Sequence, residues 1–161
     1  LFAGLISLSG FMVAISVFFL FGIEQVPYPV GAIIFHLEAS NNPLKDLEHL
    51  RDNNICAGVA LKPDTDADLL HPLLNYLDYI LVMSVFPGKG GQTFIPETLR
   101  KMKDIVSMRG RRKITIGVDG GVNLSTIDRV YKTGIDVTIV GSALYGSTNI
   151  KKRYLELVNA K

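Results

Sequence analysis

The feature that most limits how this chain can fold is a strand–helix alternation repeated five times between residues 32 and 158. Ala32–Leu37 (AIIFHL), Gly58–Leu61 (GVAL), Tyr79–Val85 (YILVMSV), the run opening at Ile114 (ITI) and Asp136–Val140 (DVTIV) are short, apolar and mostly β-branched, which predicts buried strands. Helices are predicted over Pro43–Arg51, from Asp64–Asp66 to about Tyr76, from Pro96 to about Met108, from near Leu124 to about Thr133, and from about Asn149 to Val158. Such alternation means an α/β protein with parallel strands covered by helices. A barrel and a doubly wound sheet both build their sites at the C-terminal strand ends, so alternation alone does not choose between them.

The stretch Lys113–Val122 (KITIGVDGGV) gathers the most chemistry. Its strand delivers Asp119 at the tip. Gly120 and Gly121 let the backbone turn sharply, and Asn123 or Ser125 can cap the next helix. A carboxylate beside backbone N–H groups at a helix start suits proton chemistry on an anionic substrate. Taken alone, Asp-Gly is a turn-former. The loop Pro87–Gln92 (PGKGGQ) exposes several N–H groups in a small arc and adds the cation of Lys89, as a phosphate cradle would. It matches no Walker pattern, and by itself it also reads as a connector. Gly141-Ser142 opens a helical turn after the last strand. His36 and Glu38 alternate at a strand end, where a lone histidine is more often a core residue than a ligand. Met83 reads as packing that can also line a substrate cavity.

Elsewhere the chain is less eventful. A net charge of +2 with one short basic patch, Arg109–Lys113, and no nucleic-acid motif argues against a nucleic-acid partner. The single cysteine, Cys56, cannot form an internal disulfide, which points to a reducing, cytoplasmic setting. Residues 1–30 form an apolar segment whose first charged residue is Glu24. Leu1–Ile23 has the length and apolarity of a membrane span, yet serines and glycines interrupt it and no basic flank orients it. Packing as one or two buried strands plus a helix is favoured over membrane contact. The open edges of a five-unit sheet need cover, from this segment or from a second chain.

Five segments carry a resemblance: IIFHLEAS (Ile33–Ser40), GVALKPDT (Gly58–Thr65), YILVMSVFPGKGGQTFIPE (Tyr79–Glu97), ITIGVDGGVN (Ile114–Asn123) and IVGSALYG (Ile139–Gly146). In order and spacing they resemble the second half of ribulose-phosphate 3-epimerase, over roughly residues 32–161. The resemblance implies a (β/α)8 TIM-type barrel, apparently incomplete, with these as strands four to eight. It implies epimerisation at C3 of a ketose 5-phosphate, D-ribulose 5-phosphate to D-xylulose 5-phosphate, with a divalent metal (Zn, Fe, Mn or Co), in a homo-oligomer. Carried over by position, Asp119 matches the catalytic acid/base and a metal ligand. Gly88, Lys89, Gly90 and Gly91 match the substrate-contacting loop. Gly120, Gly121, Gly141 and Ser142 match the phosphate-side contacts, and Met83 the methionine lining the substrate face.

Two departures stand out. Lys89 occupies a position where the family usually has an aromatic residue. More importantly, epimerisation needs acid/base groups on both faces of an enediolate, and the family's second aspartate and its histidine metal ligands lie on strands two and three. Leu1–Val30 holds no Asp and no His. The alternatives are therefore a non-catalytic phosphosugar-binding remnant and a membrane-anchored structural module. A hexulose-phosphate synthase is disfavoured because its Asp-x-Lys-x-x-Asp pattern is missing.

Overall fold

The computed structural model of the chain describes residues 5–8, 11–15 and 31–160. Seven strands form one sheet in strict sequence order: β1 (Leu5–Leu8), β2 (Phe11–Ile15), β3 (Ala32–His36), β4 (Cys56–Leu61), β5 (Tyr79–Met83), β6 (Thr115–Asp119) and β7 (Val137–Ile139). β1 and β2 pair antiparallel, and every later pair is parallel. A doubly wound sheet reverses its strand order at a switch point. Here β3 to β7 follow one another without reversal, which is the winding of a barrel. The sheet is open, so the arrangement is that of a partial barrel.

The hairpin β1–β2 occupies the β3 edge, with Val13, Ala14 and Ile15 opposite Ala32, Ile33 and Ile34. Part of the apolar N-terminal segment thus supplies strands to the sheet edge, as the packing alternative expected. Among the described residues no helix is long and apolar enough to cross a membrane. The helix expected within Leu1–Ile23, and the 1–30 and 31–161 division, fall partly on residues outside those described.

The helical layer is α1 (Pro43–Asp52), α2 (Thr98–Arg109), α3 (Ile127–Tyr131), α4 (Ser142–Tyr145) and α5 (Ile150–Asn159). α1 starts where the sequence places it: Asn42 Oδ1 accepts from the Lys45 amide at 3.3 Å, and Pro43 fills the first turn. Asn149 does the same for α5, accepting from the Lys152 amide at 2.9 Å. Two expectations need correction. The segment before β5 is a run of 3-10 turns over Ala67–Tyr76 rather than an α-helix. Pro72 lies inside it, and proline cannot donate to an α-helical carbonyl or pack against the preceding turn. α3 begins at Ile127 rather than near Leu124, because the Asn123 side chain folds a turn first, accepting from both the Ser125 amide and its hydroxyl.

One sheet face packs on the helices. Ile33, Val59, Leu61, Ile80, Val82, Ile116 and Val118 meet Leu47, Leu50, Leu70, Met102, Ile105 and Val130 there. The opposite face carries a smaller cluster of Ile34, Ala60, Leu81 and Met83. Period-two alternation sends neighbouring residues of each strand to different faces, so this second face is the inside of the curved sheet.

A repeated clasp ties the N-terminal strand ends together. Asp78, just before β5, accepts from the Ala57 amide at 2.9 Å and meets Arg51 of α1. Asp136, just before β7, accepts from the Ile116 amide at 2.8 Å and meets Arg109 of α2. Each aspartate thus registers its own strand against the previous one while drawing in the end of a helix. The clasps lie at the opposite end of the strands from Asp119.

Candidate functional site

The C-terminal tips of β5, β6 and β7 bring the expected residues to one rim. Asp119 ends β6 and stands opposite Met83, the last residue of β5, on one side and Ile139 of β7 on the other. Residues directly opposite in register share a face, so the Asp119 carboxyl and the Met83 thioether both belong to the inner face. Met83 is packed there with Ile34, Ala60 and Leu81. Burial pushes the Asp119 carboxyl above the ordinary carboxylate range, against a smaller opposing effect of the Gly120 amide that hydrogen-bonds it. A carboxylate made more basic in this way is better suited to taking a proton.

The Gly120-Gly121 turn lies against the segment that follows the glycine loop. Gly120 and Gly121 have φ of 120° and 65°, a conformation that disfavours any side chain. A Cβ on Gly121 would lie 2.5 Å from the Phe94 amide nitrogen and 2.8 Å from the Gln92 carbonyl oxygen. One on Gly120 would lie 2.5 Å from Val85 Cγ2. The close backbone approach expected from these glycines is therefore made first to the protein's own residues 85 and 92–94.

Gly88 and Gly91 also have positive φ, 125° and 71°, but a Cβ at either, or at Gly90, would meet nothing within 4 Å. This loop is an open arc, with Gly88, Lys89, Gly90 and Gly91 all exposed. Gly141 and Ser142, at the start of α4 two and three residues beyond the last β7 residue, are likewise exposed at the tip of the neighbouring strand.

Two residues with no role in the sequence reading hold this rim together. Ser84 is fully buried, and its amide donates to the Asp119 carbonyl at 2.8 Å. Its hydroxyl reaches the Asp119 and Gly120 carbonyls at 3.0 and 2.5 Å. Its carbonyl accepts from the Ile95 amide at 2.9 Å, closing the base of the glycine loop. A lone serine inside the apolar run YILVMSV is the signal available for it. The second is Gln92, whose side-chain nitrogen donates to the Phe86 and Lys89 carbonyls at 2.7 and 2.8 Å.

At the β3 end, Glu38 accepts from the Lys62 amide at 2.8 Å and from the Thr65 hydroxyl, and so fixes the loop after β4. Burial favours its neutral form, but Thr65, Lys62, its own amide and His36 outweigh this and hold the carboxyl below its usual value. Lys101 of α2 grips the same loop by donating to the Lys62 and Pro63 carbonyls at 2.9 and 2.7 Å. His36 Nδ1 lies 3.4 Å from Glu38 Oε2 but has no hydrogen-bond partner among the described residues.

For the metal, the residues present agree with the shortfall read from the sequence. Among the described residues no three His, Cys, Asp or Glu side chains come together as a metal would need. Asp119 offers a hard oxygen ligand, but by itself it does not make a site.

Residues 23–145 match the model of the ribulose-phosphate 3 epimerase family. The ribulose-phosphate 3-epimerase of Mycobacterium leprae is 38% identical over 119 residues, covering 73% of this chain and 53% of that protein. That of Escherichia coli strain K12 is 37% identical over 127 residues, covering 74% and 54%. That of Bacillus subtilis is 35% identical over 129 residues, covering 78% and 59%. The chain therefore spans rather more than half the length of these relatives. Among solved structures, a 3-hexulose-6-phosphate synthase superposes with a TM-score of 0.59 at 20% identity, over 81% of this chain and 62% of that one. At that identity the likeness shows a common fold. On the extent and identity of the sequence match, the chain belongs to the ribulose-phosphate 3-epimerase family.

Proposed function

We propose that the chain carries the phosphate-gripping and single-carboxylate part of an epimerase acting at C3 of a ketose 5-phosphate, D-ribulose 5-phosphate giving D-xylulose 5-phosphate. The observation that supports this best is one arrangement: a partly buried, more basic Asp119 at a strand tip, joined through Ser84 and Gly121 to an open glycine loop. In this reading, amides of Gly88–Gly91, Gly120, Gly121, Gly141 and Ser142 hold the phosphate, Lys89 adds a positive charge, and Met83 shapes the apolar side of the sugar. Asp119 takes the C3 proton, leaving the electron pair in an enediolate. A second acid on the opposite face must return a proton to C3 with inverted configuration.

The described residues supply one such group. A divalent ion (Zn, Fe, Mn or Co) bound through Asp119 would stabilise enediolate charge, but the described residues do not complete a site for it, and no step is assigned to it. This shortfall favours a second reading, in which the chain binds a pentose phosphate without turning it over. The expected setting is cytoplasmic, with the chain working as a homo-oligomer.

The deciding experiment is an epimerase assay on this chain with each of the four ions, beside Asp119→Asn and a binding titration with ribulose 5-phosphate. Turnover abolished by the substitution supports the first reading. Saturable binding without turnover supports the second. Turnover that survives Asp119→Asn removes that residue from the chemistry.

A further inference from the structure

Gln92 is placed where it can govern the rim without facing a substrate. Its side-chain amide has two hydrogens, and each is used: one on the Phe86 carbonyl at 2.7 Å, the other on the Lys89 carbonyl at 2.8 Å. These acceptors lie six and three residues back along the chain. Together they draw Phe86 through Lys89 into a curl around the Gln92 side chain. Inside that curl Gly88 takes φ of 125°, and among the described residues no atom beyond its chain neighbours lies within 4 Å of where its Cβ would be. Among the described residues nothing packs against the Cβ positions of Gly88, Gly90 and Gly91, and the two amide hydrogen bonds brace the arc from within.

The backbone of the same residue does a second job. The Gln92 carbonyl would lie 2.8 Å from a Cβ on Gly121, so the Asp119–Gly121 turn rests directly against it. One residue therefore touches both glycine groups, by its side chain on one and its main chain on the other.

We propose that Gln92 is a positioning residue: its side-chain amide braces the Phe86–Gly91 loop in the curled shape that receives an anionic group, and its backbone couples that loop to the Asp119–Gly121 turn. The inference rests on the reading of the loop as a phosphate cradle, and the chemistry requires a donor of two hydrogens at one atom. Glutamate, matched in size, has no hydrogen to give at neutral pH and would place a carboxylate against two carbonyl oxygens. Asparagine keeps the amide on a stem shorter by one methylene.

The test uses the whole chain and three variants, Gln92→Glu, Gln92→Ala and Gly121→Ala, with two readouts. Amide hydrogen exchange over residues 86–91 reports the brace with no ligand present. Titration with inorganic phosphate and with ribulose 5-phosphate reports the cradle. Exchange in the loop is expected to quicken about tenfold or more in Gln92→Glu and Gln92→Ala, while exchange in β4 and β5 stays as in the parent. Affinity for both probes should fall in step. In Gly121→Ala, pressing on the Gln92 carbonyl from the other side, loop exchange should quicken as well. Unchanged loop exchange in Gln92→Glu and Gln92→Ala overturns the brace. Faster exchange with affinity unchanged overturns its link to anion binding. Failure of the parent chain to bind either probe sinks the phosphate-cradle reading and, with it, the ligand role of the brace, whereas exchange still decides whether the brace exists. Unchanged loop exchange in Gly121→Ala overturns the coupling to the Asp119 turn.

Discussion

Asp119 and the glycines beside it show how much one position can be asked to do. The carboxyl is held above its ordinary value chiefly by burial. A carboxyl whose folded value is raised binds protons more readily in the native state than in the unfolded one, so its ionisation opposes folding. Asp119→Asn should therefore raise the melting temperature at pH 7. The gain should shrink as pH falls through the raised native value and vanish below the unfolded value near 3.8; calorimetry across that range checks it. Gly120 and Gly90 make a contrasting pair. Gly120→Ala meets both a φ of 120° and a Val85 methyl 2.5 Å from its new Cβ, and should cost about 2–4 kcal/mol in urea unfolding. Gly90→Ala meets open space and no positive φ, so its cost should stay within about 0.5 kcal/mol. Loss of phosphate affinity in stable Gly90→Ala would then mark that glycine as one a ligand approaches.

At the scale of elements, local chemistry set the boundaries where a side chain could act within a few residues. Asn42 and Asn149 start α1 and α5 as their types suggest. Pro72 and Asn123 went the other way, turning an expected α-helix into 3-10 turns and delaying α3. Proline and asparagine carry several meanings, and surrounding contacts select among them. The paired clasps could not be read from sequence at all. Asp78 and Asp136 look like ordinary loop aspartates, yet each binds the first amides of a neighbouring strand about 20 residues away. Asp136→Ala should take the side-chain acceptor from the Ile116 amide and the ion pair from Arg109, and destabilise the chain by about 1–3 kcal/mol, seen as a lower urea midpoint with an unchanged slope. The same change should leave phosphate binding untouched, because the clasp lies at the far end of the strands.

Across the molecule, stability should be graded from the centre of the sheet outward. β4, β5 and β6 each have a strand on both sides; β4 and β5 bury all but their first residue, and β6 its three central ones. β7 has three residues, pairs with β6, and leaves Val137 42% exposed. Native-state exchange should find Val59, Val82 and Val118 opening with global unfolding and β7 opening earlier. The sequence determined the alternation of elements, the parallel sheet, the family and the place of Asp119 at a strand tip, because apolar periodicity and glycine motifs are written in neighbouring residues. Tertiary structure decided the rest. It chose barrel winding over the doubly wound alternative through strand order, placed β1 and β2 on the β3 edge, and revealed Ser84 and Gln92 as the joints between loops that lie up to 36 residues apart. Such joints are hydrogen bonds and backbone contacts between distant segments, and they come into being only when the strands have been laid side by side.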